Sequence, residues 1–190
     1  MPFHIEERLF DTVPAAIIPA GGFAVGGLRQ DTPYEVLPAV LRLRLMGLLT
    51  MRPDWDGVAT LSADGVNHWV HISAGEAVSM QGFLTPRLVE DLGGSGMPDA
   101  AALADTISRP ERLATHLRTA DLMQARAAIV GHLVGAELAA TRVYWLGQQV
   151  AVIKDGRSVY EQALRDQGCD VTAFEAGELD QLGREGRSPA

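Results

Sequence analysis

The chain has one cysteine (Cys169), one lysine (Lys154), and 6% aromatic residues. A single cysteine excludes an internal disulfide and points to a reducing compartment. Cys169 reads as a plain buried or half-buried thiol. No uninterrupted apolar run is long enough for a bilayer. The start carries Glu6, Glu7 and Arg8 and no apolar leader, so a cytoplasmic location is expected. Cationic charge is scarce: 16 Lys and Arg against 24 Asp and Glu leave a net charge of −8. That argues against non-specific nucleic-acid binding, which needs a basic face. An anionic ligand would need local arginines, helix N-termini or a metal. His4, His71, His116 and His132 do not cluster with Cys or Glu at metal-ligand spacing. No Gly-x-Ser-x-Gly or Ser/His/Asp arrangement is apparent, so nucleophilic hydrolysis has little support.

What is present is a 190-residue chain with 47% hydrophobic content, enough for one globular domain with a full core. The expected division is an arm over 1–14, of which 1–13 reads as an arm or a partial strand, a domain over 15–183 and a disordered tail over 184–190. The domain is organised around Trp55–Leu92. Gly57–Leu61, Asn67–Ile72 and Glu76–Leu84 read as three short strands. Ser62-Ala63-Asp64-Gly65 and Ser73-Ala74-Gly75-Glu76 separate them, which predicts a β-meander with tight turns. Thr85 then reads as a helix N-cap, with Pro86 at the first helical position.

Before this stretch, Ala15–Pro19 is a short strand candidate. Gly21-Gly22 and Gly26-Gly27 bracket Phe23–Val25. These glycines fit neither phosphate-loop pattern, and turns around a short strand are expected. A Leu-rich helix, apolar nearly all round, is predicted from Thr32-Pro33 to Met51, with Arg42 and Arg44 as interruptions. After the meander, Gly93-Gly94-Ser95-Gly96 reads as a flexible link, and two short helices follow over 98–107 and 109–118. A long helix over 122–146, capped by Asp121, carries Gly131, Gly135 and Ala139 as a small-residue ridge that admits a close neighbour. Strand 149–153, helix 157–167, strand 170–174 and a short helix near Leu182 complete the order. A meander followed by α-β-α-β implies an α/β fold with a mixed sheet, the layout of a ribonuclease-H-like, actin-type lobe.

Several strings carry a resemblance. His68-Trp69-Val70, Ser73-Ala74-Gly75-Glu76, Gln81–Thr85 and Gly131–Ala139 resemble, in order and spacing, the 2-keto-3-deoxygalactonate kinases of the actin-like sugar-kinase superfamily. The resemblance covers most of residues 15–183. It implies ATP-dependent phosphorylation of 2-dehydro-3-deoxy-D-galactonate with Mg²⁺. The departures are specific. The family's opening D-W-G-T-[ST]-x-x-R hairpin is not found, and about the first third of the family chain has no counterpart. The acidic pair of the family's R-G-E-E-T-Q helix falls on Leu41 and Arg42. In the P-G-T-H-[ST]-K-W turn, the family's His falls on Val66 and its Lys on His68, and Arg87 stands where T-G-E-L has a carboxylate. Phosphoryl transfer is mostly positioning and charge neutralisation, and losing one positioned group commonly costs ~10²–10³ in rate.

Each candidate residue has two readings. Asp64 and Gly65 either bind phosphate through backbone N–H groups or simply form a turn. His68 stands in for the missing lysine or is a surface strand residue. Trp69 is core or a substrate-side wall. Thr85 faces an anion or is a plain N-cap. Asp155 and Gly156 lie at a strand-to-helix turn, near where the resemblance places the nucleotide, or form an ordinary turn. Arg87 is a further substrate-side candidate. Two functions are expected: a shortened, degenerate relative acting as a binding or association module, or an active kinase with Mg-ATP, a remodelled site or a second chain supplying the missing lobe. A homodimer through the Thr32–Met51 helix would cover the apolar surface that such a shortened lobe leaves.

Overall fold

The computed structural model describes residues 4–21 and 24–186. The Gly22 and Phe23 part of the glycine-rich passage and the last four residues of the expected tail lie outside them. The meander forms as predicted: β5 (Gly57–Ala63), β6 (Val66–Ser73) and β7 (Glu76–Phe83) are antiparallel neighbours. Both tips place two consecutive residues in the left-handed region, Asp64-Gly65 and Ala74-Gly75. Two-residue turns of that kind follow the right-handed twist of the strands. On the other side of β5, β8 (Gln149–Lys154) and β9 (Asp170–Glu175) add in parallel. With the two-residue β2 (Ala15–Ala16), the sheet order is β2-β7-β6-β5-β8-β9. This is the mixed α/β, ribonuclease-H-like arrangement that the order of elements implied.

Alternating residues of the central strands face two cores. Ala59, Leu61, Val70, Ile72, Ala151 and Ile153 meet helices α1 (Ala39–Met51) and α8 (Ala176–Glu185). Val58, Trp69, Val150 and Val152 meet α3 (Ala100–Ser108), α5 (Arg126–Ala140) and α7 (Val159–Asp166). The small-residue ridge of α5 works as expected. A Cβ on Gly131 would lie 2.5 Å from the Asp99 carbonyl oxygen, and one on Gly135 would lie 2.6 Å from that of Leu103. The close neighbour is α3.

The N-terminal third departs from expectation. The expected arm is a strand, β1 (His4–Thr12), parallel to β3 (Ala24–Asp31), which pairs antiparallel with β4 (Tyr34–Leu37). Gly26 and Gly27 are strand residues rather than turns, because a side chain there would strike Leu9 or Phe10 of β1 and the Leu37 carbonyl of β4. The Leu-rich helix starts at Ala39, not Thr32: residues 34–37 are held in the β3–β4 hairpin, and Pro38 is its N-cap. Leu41, Leu43, Leu45 and Leu48 of this helix are all fully buried within the chain.

Arg42 is one of the two arginines interrupting this helix, and it too is buried. Its Nε donates to the Ile17 carbonyl at 3.0 Å, Nη2 to that of Ala16 at 2.8 Å, and Nη1 to that of Gly26 at 3.2 Å. Nη1 also meets the Asp11 carboxylate at 2.7 Å. One side chain therefore ties β1, β2 and β3 to α1.

The helical insertion after β7 comprises α2 (Thr85–Asp91), α3, a 3-10 turn at Pro110–Arg112 and α4 (Leu113–Leu122). Asp121 lies inside α4 and does not cap α5, which starts at Arg126 after a turn with Gln124 left-handed. The expected long helix is two: α5 ends at Ala140, and α6 (Arg142–Trp145) is separate. The glycine link is anchored rather than loose, since Gly94 N–H donates to the Val89 carbonyl and Ser95 N–H to that of Arg126. At the end, α8 continues to Glu185, two residues past the expected boundary. Among the described residues, no helix is long and apolar enough to cross a membrane.

Two substitutions test this packing by urea unfolding. Arg42→Leu strands three backbone carbonyls and is expected to cost ~3–5 kcal/mol, the range for breaking a buried charge cluster. Gly135→Ala raises helix propensity and should stabilise a free helix by about 1 kcal/mol. Against the Leu103 carbonyl it is expected instead to destabilise by ~1–3 kcal/mol.

Candidate functional site

Parallel strands β5 and β8 end side by side, and their carboxyl ends open into a cleft of about 270 Å³. Clefts at that edge of an α/β sheet are where ligands usually bind. Thr60 and Ser62 come from β5, Asn67 from β6, and Lys154 from β8. Asp155 and Arg157 come from the following turn, Ser158 and Tyr160 from the start of α7, Pro86 from α2 and Arg44 from α1. Ser158 caps α7 by accepting from the Tyr160 N–H, so the positive end of that helix faces the same space.

The rim is cationic but largely paired. Arg44 donates to Asp180 at 3.1 Å and lies 3.9 Å from Asp155. Lys154 meets Glu161 at 3.0 Å and Glu175 at 3.6 Å, and the hydrogen bond to Glu161 raises its pKa. Among the described residues, Arg157 has no ion-pair partner.

Beneath the cleft lies a carboxylate that sequence reading passed over. Glu137 is 2% exposed. Its Oε1 accepts from the Asn67 amide and the Trp69 indole N–H, both at 2.7 Å, and Oε2 accepts from the Tyr160 hydroxyl at 2.8 Å. Burial raises its pKa, against hydrogen bonds from Thr85, Trp69, Asn67 and Tyr160 that favour the ionised form. Burial, with the Glu137 charge beside it, pushes the Tyr160 hydroxyl well up, so it stays protonated and donates. The signal was available: Glu137 is a lone acid in the apolar run Ile129–Ala140. A buried acid needs donors, but which residues supply them is not local information.

The predicted site residues scatter around this centre. Asp155 lines the cleft, and Gly156 follows it with its N–H donated to Glu175 at 3.2 Å. Asp64 and Gly65 form the β5–β6 turn, and their backbone is engaged: the Asp64 carbonyl accepts from the Arg87 guanidinium at 3.0 Å, the Gly65 carbonyl from the Arg87 N–H at 3.2 Å. Arg87 thus braces the hairpin. Trp69 is core, fully buried, with its ring edge-on to Tyr160. Thr85 is not the N-cap of α2, which is Leu84; Thr85 is buried. His68 is not on the surface. It is 3% exposed on the α1 side of the sheet, its Nδ1 has no hydrogen-bond partner, and Glu35 Oε1 is 4.0 Å away. Burial lowers its pKa, so it is neutral and makes a poor substitute for a lysine.

A second polar cluster joins α3, α4 and α5. The Thr106 hydroxyl lies 2.9 Å from Nδ1 of both His116 and His132, and His116 Nε2 lies 3.2 Å from Asp105. A Thr-His-Asp chain suggests a nucleophile, but Thr106 is fully buried and cannot meet a substrate. Among the described residues, no group of three or more His, Cys, Asp or Glu could hold a metal ion.

A family model described as 2-keto-3-deoxy-galactonokinase matches residues 20–184. A crystal structure from Sinorhizobium meliloti, of a protein assigned as a 2-dehydro-3-deoxygalactonokinase, is similar in fold with a TM-score of 0.79. It is 20% identical, and the match covers 93% of this chain and 72% of that one. No curated protein matches.

The histidine cluster gives a pH prediction. Burial, then the His116 charge, lowers the His132 pKa below 6.5, so unfolding exposes a more basic imidazole. The unfolded chain then binds more protons, and this contribution to stability is present above pH 6.5 and lost as pH falls through the folded pKa. Glu137, with its pKa raised, acts in the opposite sense. A difference measurement isolates the histidine. The slope of unfolding free energy between pH 7.5 and 5.5 is expected to be less positive in His132→Asn than in the parent, and equal slopes would refute the assignment.

Proposed function

The chain belongs to the 2-keto-3-deoxy-galactonokinase family, and from that premise we propose that it is a degenerate, ligand-binding member. Its cleft takes Mg-ATP or a related phosphate-bearing molecule, and the isolated chain does not transfer phosphate to a sugar acid. One observation carries the second half of this reading: the side chains at the charged positions of the family motifs are committed to the fold. Leu41 and Arg42 are buried, Arg42 on backbone carbonyls and Asp11; His68 is buried; Arg87 braces the β5–β6 turn.

The cleft residues fit the phosphate end of such a ligand. Arg44, Lys154 and Arg157 supply positive charge, and Ser62 and Ser158 supply hydroxyls. Asp155, 75% exposed at the rim, is the carboxylate available to magnesium, which commonly takes one or two alongside substrate phosphates. Bound there, Mg-ATP would supply a transferable phosphoryl group. A base for the acceptor hydroxyl must come within hydrogen-bond reach of it. Glu137 is sealed beneath the floor and occupied by Asn67, Trp69 and Tyr160. The alternative, an active phosphotransferase with a remodelled site or a second chain completing it, is favoured by the cationic rim itself.

A thermal-shift titration and a coupled kinase assay separate these. A ligand at ~100 times its dissociation constant stabilises by ~2.7 kcal/mol, a rise of ~5–10 °C for a chain of this size. Mg-ATP and Mg-ADP are expected to give such a rise, and Arg157→Glu to remove most of it. With 2-keto-3-deoxygalactonate added, ADP release is expected to stay at background. No rise with either nucleotide would sink the ligand assignment, whereas ADP release dependent on the sugar acid would sink the non-catalytic one.

A further inference from the structure

Thr106 stands between two imidazoles with one proton to share. Its Oγ1 lies 2.9 Å from Nδ1 of His116 on α4 and 2.9 Å from Nδ1 of His132 on α5. A hydroxyl has one proton to donate, so one neutral ring accepts from it and the other donates to it. Asp105 decides which. Its carboxylate is held by Arg109 and lies 3.2 Å from His116 Nε2. A bare nitrogen there would face the anion with no proton between them. His116 therefore carries its proton on Nε2, its Nδ1 accepts from Thr106, and His132 donates from Nδ1. A proton added to the pair settles on His116 Nδ1, with Asp105 as counter-ion at the other nitrogen. That Nδ1 then donates, the Thr106 hydroxyl turns to His132, and His132 exchanges its single proton with water from Nδ1 to Nε2. Every partner around Thr106 is kept. A second proton puts an N–H on both sides of the hydroxyl, leaves no ring to take the hydroxyl proton, and makes two cations of rings 4.8 Å apart.

We infer that this cluster is an acid-sensitive latch on α4: it absorbs one proton by exchanging the tautomers of His116 and His132, and a second proton releases α4 from α3 and α5. The buried residues of α4 are His116 and Ala120, so the histidine is one of its two deep anchors. Burial, then the His116 charge, lowers the His132 pKa, which is the direction that a second, resisted proton requires. The other charges acting on the cluster are Asp99 at the start of α3, and Arg109 and Arg112 beside Asp105. Elsewhere on these elements Glu111 and Arg126 are exposed, Arg118 pairs with Asp121, and Glu137 is turned to Asn67, Trp69 and Tyr160.

The test is long-range proton–nitrogen NMR of the 15N-labelled full chain, which reads the protonation of each ring nitrogen. It runs from about pH 8 to about pH 4, across and below the usual histidine range. Amide exchange in α4 is followed alongside, as protection relative to the unfolded rate at the same pH. At the upper end His116 is expected as the Nε2–H tautomer and His132 as Nδ1–H. As His116 takes its proton, His132 is expected to change to Nε2–H while still neutral, with α4 protection kept. As His132 is then protonated, that protection is expected to fall about 5- to 100-fold, the cost of a buried donor left unmade. Thr106→Ser is expected to preserve the tautomer exchange. Thr106→Val is expected to abolish it, so that His132 keeps one tautomer while His116 titrates. Should the valine variant fail to fold, the wild-type titration decides alone. An Nε2–H tautomer of His132 at the upper end overturns the inference, and so does a wild-type His132 tautomer that ignores the His116 titration. Protection of α4 that survives to the acid end, or that is lost before His132 is protonated, overturns it too, as does a Thr106→Val chain that titrates like the wild type.

Discussion

The guanidinium of Arg42 sits where two sheets would otherwise part. Among the described residues, the three-stranded sheet of β1, β3 and β4 and the six-stranded sheet share no backbone ladder. Helix α1 lies against both, and Arg42 reaches from it to the Ala16, Ile17 and Gly26 carbonyls and to Asp11. A charge buried this deeply is tolerated only when its donors are used, so its partners must stay where they are. Gln30 adds a second tie from β3 to β7, donating to the Met80 carbonyl at 3.0 Å and accepting from the Met80 N–H at 2.9 Å. The small sheet is in this way a fixed wall of the domain.

A charge of opposite sign sits across the large sheet. Glu137 on α5 gathers β6 and α7 through Asn67, Trp69 and Tyr160. Its donors are neutral, so the carboxylate's burial is offset by hydrogen bonds alone. The two buried charges divide the work. Arg42 holds the wall, and Glu137 holds the elements that surround the cleft. Both are held in place by hydrogen bonds within the fold. Fold and activity are separate matters, and activity resides in the side chains left unspent.

Much of the fold was legible in order along the chain. The meander, its two Gly-bearing turns, the small-residue ridge of α5 and the closing strand-helix-strand-helix all follow from local pattern, because alternation and left-handed turn residues are sequence-local properties. The N-terminal third was not legible in the same way. Gly26 and Gly27 look like turn residues until β1 is placed against them, and Tyr34–Leu37 looks helical until β3 pairs with it. Both errors concern segments whose conformation is dictated by a neighbour rather than by their own propensity.

The candidate site divides similarly. Asp155 and Gly156 were singled out at a strand-to-helix turn, of which Asp155 lines the cleft, and Trp69 was weighed as core, each from local cues. His68 was weighed as a surface or lysine-replacing residue and Thr85 as a cap, whereas the fold buries His68 and puts Leu84 at the cap position; Arg87, a substrate-side candidate, braces the β5–β6 turn. The sequence by itself determined the family, the antiparallel meander and the sites of its tight turns, all carried by residues adjacent in the chain. Only the tertiary structure decided which polar groups are consumed and which remain at the cleft. Hydrogen-bond partners such as Asn67 and Glu137, 70 residues apart, are chosen by packing and leave no spacing to read.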